Sequence, residues 1–174
     1  MENLQNNLLF ISMIVPCRNE EAFIGEGLNS LIAQNYSKDS LEVLLADGMS
    51  KDNAQNILQS STEKYTFINI LDNPEIISSS AFNKGIANAR GDLIALISAH
   101  LIYSKDYIFK CVRYMQEYNT NNVGGILEII PKCDTFIANA IANGVSHPFA
   151  SGNSYVKVGT KKTSLGRYDC FWLL

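Results

Sequence analysis

Three stretches carry side chains able to do chemistry, and each follows an apolar run. Pro16-Cys17-Arg18-Asn19-Glu20-Glu21 comes after Leu8 to Val15, Asp47-Gly48-Met49-Ser50-Lys51-Asp52 after Leu41 to Leu45, and Ser98-Ala99-His100 after Leu93 to Ile97. An ionised carboxylate is an acceptor only, so Asp47 suits a base imide or a ribose hydroxyl better than general-base work, for which nothing nearby would raise its pKa. Structural readings stand beside these. Asp47-Gly48 also makes a turn, Ser50 or Asp52 an N-cap, Glu20 and Glu21 a match for a helix macrodipole, and His100 a satisfied polar residue. Neither GxGxxG nor GxxxxGK[ST] occurs, which speaks against dinucleotide dehydrogenases and P-loop NTPases. No serine sits in a GxSxG elbow and neither histidine stands beside a nucleophile, which argues against a hydrolase.

The elements that must position these stretches alternate. A strand over Leu8–Val15 leads to a helix over Ala22–Gln34, with Phe23, Ile24, Leu28, Leu31 and Ile32 at helical spacing. The buried strand starting at Leu41 leads to a helix over Lys51–Tyr65 and a strand over Phe67–Leu71. Asn73-Pro74 reads as a turn, Ala81–Ala89 as a helix closed by Arg90-Gly91, and Leu93–Ile97 as the fourth strand. Such alternation predicts an α/β fold with a mostly parallel central sheet, right-handed crossovers and flanking helices. Ligands of open α/β sheets bind beyond the carboxyl ends of the strands, so Asn19, Asp47, Asp52 and Ser98 are expected to converge on one crevice. Further on, the pattern predicts a helix over Asp106–Tyr118, a strand over Val123–Ile130, a helix over Phe136–Asn143 and a loop or hairpin between Val145 and Gly166.

The 174 residues, 47% hydrophobic, suffice for one domain with a real core. A net charge of −3 and no long basic run give no nucleic-acid surface. Cys17, Cys111, Cys133 and Cys170 show neither CxxC nor zinc spacing, which favours reduced, buried thiols in a cytoplasmic setting. The apolar N-terminal run lacks a basic leader and a cleavage site and reads as a strand, and no stretch approaches the roughly 20 apolar residues of a membrane span.

Taken together, VPCRNEE, LADGMSKDN, FNKGIANARGD and a buried strand ending in SAH resemble the inverting family 2 glycosyltransferases of the GT-A fold. Within them they resemble the succinoglycan-type exopolysaccharide enzymes, supported by VGG at Val123–Gly125 and SHPFASGNS at Ser146–Ser154, over Ile11 to Gly159. The resemblance implies a UDP- or GDP-linked sugar donor, with Pro16, Asn19 and Glu20 beside nucleobase and ribose, Asp47 on the base and Asp52 near the ribose. Asn83, Gly85 and Arg90 would frame the sugar-phosphate side. It implies a nucleotide-sugar-binding half over 8–105, a partial acceptor-side half over 106–174, a saccharide or lipid-linked acceptor, and work at the inner face of the membrane. Where the family has an acid holding Mg²⁺ or Mn²⁺, this chain has Ser98, so divalent metal binding at Ser98 and His100 is expected to be weak. Family members continue past this point with their catalytic base, so the resemblance predicts donor binding without transfer, and uncovered apolar surface that favours a homodimer. Two alternatives remain open on sequence: a non-catalytic nucleotide-sugar-binding remnant, and a flavodoxin-like module, of which Glu20 and Glu21 imitate only the first acidic cluster.

Overall fold

The computed structural model describes residues 8–125 and 134–147. They fall in two compact units divided between Val123 and Gly124. The first unit holds four strands, β1 (Ile11–Cys17), β2 (Leu41–Asp47), β3 (Ile68–Asp72) and β4 (Leu93–Leu96), and four helices, α1 (Ile24–Ile32), α2 (Ala54–Lys64), α3 (Ser78–Asn88) and α4 (Tyr107–Tyr118). The strands pair in parallel in the order β3-β2-β1-β4.

The two central strands explain why the sequence reads as continuous apolar runs. β2 is buried at all seven positions, because a parallel sheet is covered on both faces. The period of two still assigns the faces. Ile11, Met13, Val15 and Cys17 of β1 and Leu41, Val43 and Leu45 of β2 join one core with Ile24, Leu28 and Leu31 of α1, Leu58 of α2, and Tyr107, Ile108 and Cys111 of α4. On the opposite face Ile14 meets α3 so closely that a Cβ on Gly85 would lie 2.3 Å from its Cγ2.

That same face carries one buried acid. Glu42 is 1% exposed, and its carboxylate accepts from Ser12 Oγ at 2.6 Å, Arg90 N at 2.7 Å and Arg90 Nε at 2.9 Å. Burial works to raise the Glu42 pKa, but these hydrogen bonds and the guanidinium charge outweigh it and hold the carboxyl below its usual value.

Several boundaries differ from the expected ones. β1 begins at Ile11 and runs through Pro16 to Cys17, because its register with β2 spans Ile11↔Leu41 to Cys17↔Asp47. β1 has no β4 partner beyond Ile14, so a residue without an N–H is tolerated at Pro16. α3 starts at Ser78 and ends at Asn88, which leaves Arg90 outside the helix and paired with Glu42. Its expected place in a last helical turn is therefore corrected.

In the second unit α5 spans Phe136–Ser146, with Thr135 Oγ1 accepting from Ala138 N at 3.2 Å as its N-cap. Ile141 and Val145 keep the helical spacing going, so the helix outlasts the expected end at Asn143. Residues 123–125 form no strand. The rest of the strand expected to Ile130, the loop from residue 148 onward, Cys133, Cys170 and Asp169 lie outside the described residues.

Candidate functional site

The strand order places a break at the carboxyl ends of β1 and β4. Successive crossovers carry the chain from β1 to β2 to β3 on one side, and the next returns it to the other side of β1 as β4. Such a reversal opens a crevice between the two connections. Pairing with β4 stops at Ile14↔Leu96 while pairing with β2 continues to Cys17↔Asp47, so the last turn of β1 is bare on one side. A cavity of about 420 Å³ occupies this position, lined by Pro16, Cys17, Arg18 and Glu20, by Ile97 to His100, and by the segment from Asn73 into the start of α3.

Four of the expected site residues line it: Pro16, Glu20, Ser98 and His100. His100 Nδ1 stands 3.4 Å from Glu20 Oε1, an ion pair only when the imidazole is protonated. Arg18, which sequence reading passed over, brings a permanent positive charge to the wall.

Asn19, Asp47 and Asp52 are not lining residues; they lock two loops together. Asn19 N donates to Ser50 Oγ at 3.0 Å and Lys51 N to Asn19 Oδ1 at 2.9 Å. Glu21 N donates to Asp52 Oδ2 at 2.9 Å and Asn53 N to Glu21 Oε2 at 2.9 Å. The buried Asp47 carboxylate accepts from Ser50 Oγ at 2.5 Å and from Ser50 N, and Asp52 Oδ1 accepts from Ala54 N at the start of α2. Asp47 thus closes the turn to Ser50, and Asp52 ties the approach to α2 to the loop after β1. Asn19 and Met49 take positive φ of 53° and 60°, which lets the two loops close on each other. Burial, with the nearby charges of Asp47, Glu20 and Asp52, pushes the Cys17 thiol up to about 12 and keeps it protonated.

The segment after β4 is held by α1. Ser98 N donates to Tyr103 Oη at 2.9 Å, and Tyr103 N donates to Ser30 Oγ at 3.0 Å. Gln34, 4% exposed, donates to Ser104 O at 2.7 Å and accepts from Ile108 N at 3.0 Å. Gly27 lets the helix come close, since a Cβ there would lie 2.5 Å from the Ala99 carbonyl oxygen. Serine and glutamine in an apolar helix were the available signal for this anchoring.

The remaining expected residues stand elsewhere. Gly85 packs on Ile14, Asn83 is exposed on α3, and Arg90 binds Glu42 near the amino ends of β1 and β2, the end of the sheet opposite the cavity. Lys84 Nζ is taken by the Asp72 carbonyl oxygen at 2.5 Å. Asn73, read from sequence as a turn residue, is another lining residue that reading missed; it is 2% exposed.

Among the described residues no group of three or more His, Cys, Asp and Glu side chains is placed to hold a metal ion. Ser98, His100 and Glu20 offer one carboxylate where Mg²⁺ or Mn²⁺ prefers several oxygen anions, so this donor set does not fit a resident hard cation.

Residues 12–174 match the family model described as glycosyl transferase family 2. A Methanococcus voltae protein, dolichyl N-acetyl-alpha-D-glucosaminyl phosphate 3-beta-D-2,3-diacetamido-2,3-dideoxy-beta-D-glucuronosyltransferase, is 31% identical over 92% of this chain and 53% of its own length. The Bacillus subtilis (strain 168) protein named "Probable glycosyltransferase YdaM" is 29% identical over 75% of this chain and 32% of its own. The chain thus spans about half or less of the curated relatives it matches. Among solved structures, the mannosyltransferase PcManGT of Pyrobaculum calidifontis, in complex with GDP-Man and Mn²⁺, superposes with a TM-score of 0.65 at 21% identity over 81% of this chain and 41% of that one. TarS 1–349 of S. aureus, in complex with UDP, gives 0.62 at 21% over 72% and 37%. The parallel sheet and its helices are those of the GT-A fold.

Proposed function

The chain belongs to glycosyl transferase family 2, and from that premise we propose that it carries the donor site of an inverting glycosyltransferase using a UDP- or GDP-linked sugar. The supporting observation is the cavity at the reversal of strand order, walled by Pro16, Arg18, Glu20, Ser98 and His100. Solved relatives in complex with UDP and with GDP-Man point to the same ligand class. In this reading Arg18 and His100 meet the diphosphate, which takes over the role first expected of Arg90. Asn19, Asp47 and Asp52 shape the nucleoside side by holding the loops together. An acceptor hydroxyl attacks the anomeric carbon and gives its proton to a general base that is not among the residues named here, the bond to the diphosphate oxygen breaks with inversion, and the nucleoside diphosphate leaves with its charge stabilised by Arg18 and His100. No step is assigned to a metal, because the donor set does not fit one.

The acceptor in this proposal is a saccharide or a lipid-linked saccharide of surface or exopolysaccharide synthesis, met at the cytoplasmic face of the membrane. No helix among the described residues is long and apolar enough to cross a membrane. Ser98 in the cavity wall favours a second reading, a nucleotide-sugar-binding remnant without transfer. Incubation with labelled nucleotide-sugars and free or lipid-linked saccharides separates the two. Acceptor-dependent release of nucleoside diphosphate, lost in Arg18→Ala, rules out the remnant; a chain that binds none of the labelled donors contradicts both readings.

A further inference from the structure

The chain leaves the sheet just where the cavity begins. Ile14 O accepts from Ile97 N at 2.9 Å, and alternate residues of a strand face alternate neighbours, so the next residue of β1 turned toward β4 is Pro16. Proline has no N–H for a further rung. Ser98, one residue past Ile97, turns its N–H away from β1 and needs a partner outside the sheet. That partner is a phenol. Ser98 N donates to Tyr103 Oη at 2.9 Å, which closes the run from Ser98 to Tyr103 into a loop. Tyr103 is 3% exposed, its ring lies 5.2 Å from that of Tyr107, and its N–H donates to Ser30 Oγ at 3.0 Å. Ser30 Oγ in turn donates to the Gly27 carbonyl oxygen at 2.7 Å, so the serine hydroxyl is fixed on α1 both as donor and as acceptor.

The loop so closed carries one wall of the cavity. Ser98, Ala99 and His100 line it, and His100 Nδ1 stands 3.4 Å from Glu20 Oε1 of the loop after β1. Tyr103 is not itself a lining residue. Resting on the donor-site reading above, we propose that Tyr103 is a positioning residue of that site: through Ser98 N its hydroxyl sets the depth at which Ser98 and His100 meet the donor's diphosphate, and α1 sets the hydroxyl through Ser30. A misplacement of about 1 Å is enough to cost a site much of its power. The nucleoside side rests on other bonds, those by which Asn19, Asp47 and Asp52 join their two loops. Loss of the phenol hydroxyl therefore falls on the diphosphate.

The test is the preference for diphosphate over monophosphate, UDP against UMP and GDP against GMP, measured by NMR titration of the whole chain. The wild type should bind the diphosphate more tightly. Tyr103→Phe removes only the hydroxyl and should lose about threefold to tenfold of that preference, the scale of one hydrogen bond, while monophosphate binding holds. Ser30→Ala, which frees the Tyr103 backbone, should narrow the preference as well. Tyr107→Phe removes a neighbouring buried hydroxyl, one bonded to the Cys111 thiol, and should leave the preference unchanged. A Tyr103→Phe chain that keeps the full preference, or loses no more of it than Tyr107→Phe does, overturns the role of Tyr103 and leaves the donor site standing. Equal weakening of mono- and diphosphate would mark a general loss of packing and overturns it too, as does a wild type without any diphosphate preference. A wild type that binds none of the four nucleotides overturns the donor-site reading along with it.

Discussion

Ser98 stands at a strand end where a hard cation would need an acid. Ser98→Asp adds an oxygen anion beside His100 and Glu20, so Mn²⁺ should tighten nucleotide binding in that variant more than in the wild type; equal titrations with and without Mn²⁺ in both forms would refute this. Glu42 gives a pH prediction. Its carboxyl is held below 4.5 in the folded chain, so the stabilisation is complete above that pH and is lost as pH falls through the lowered value. Glu42→Gln should cost about 1–3 kcal/mol in urea unfolding at pH 7, and the gap to wild type should narrow as pH falls through the lowered pKa of the carboxyl. A gap that does not change with pH would mean that the charge is not what stabilises. Little of this was legible in the sequence. The acid inside the run Leu41-Glu42-Val43-Leu44-Leu45 went unread, because its partner is 48 residues away and Arg90 fitted a helix end equally well. Asn73 was hidden as a lining residue by Pro74, because Asn-Pro reads as a turn.

Elements were easier to read than single residues. β1 and β2 are covered on both faces, so their apolar runs stand out, and the spacing of Leu28 and Leu31 marks α1. What spacing does not reveal is how closely elements approach. Gly27 and Gly85 look like helix weaknesses in the sequence, yet each sits where a Cβ would collide, with the Ala99 carbonyl oxygen in one case and Ile14 in the other. Gly27→Ala should therefore push the segment carrying Ser98 and His100 off α1. The expected outcome is weaker nucleotide binding together with faster hydrogen exchange at Ser98 and Tyr103, although alanine is the better helix former by roughly 1 kcal/mol. A variant that is more stable and binds unchanged would show that the close approach is unimportant.

At the scale of the molecule, the claim is that a parallel sheet with reversed strand order builds a donor site between β1 and β4. The sequence carried this through its alternation of elements, and the motifs at three strand ends carried the family. What the sequence does not show is that Asn19, Asp47 and Asp52 join two loops while Pro16, Glu20, Ser98 and His100 line the cavity. Hydrogen-bond capacity is visible in a residue's type, but which neighbour takes it is not. The direct measurement is thermal unfolding with a panel of UDP, GDP, CDP, ADP and their sugar conjugates. Stabilisation by UDP or GDP and their sugars is expected, worth roughly 2.7 kcal/mol at about 100 times Kd and reduced in Arg18→Ala. An unfolding curve unmoved by any nucleoside diphosphate, or moved equally by all four bases and unaffected by Arg18→Ala, would contradict it.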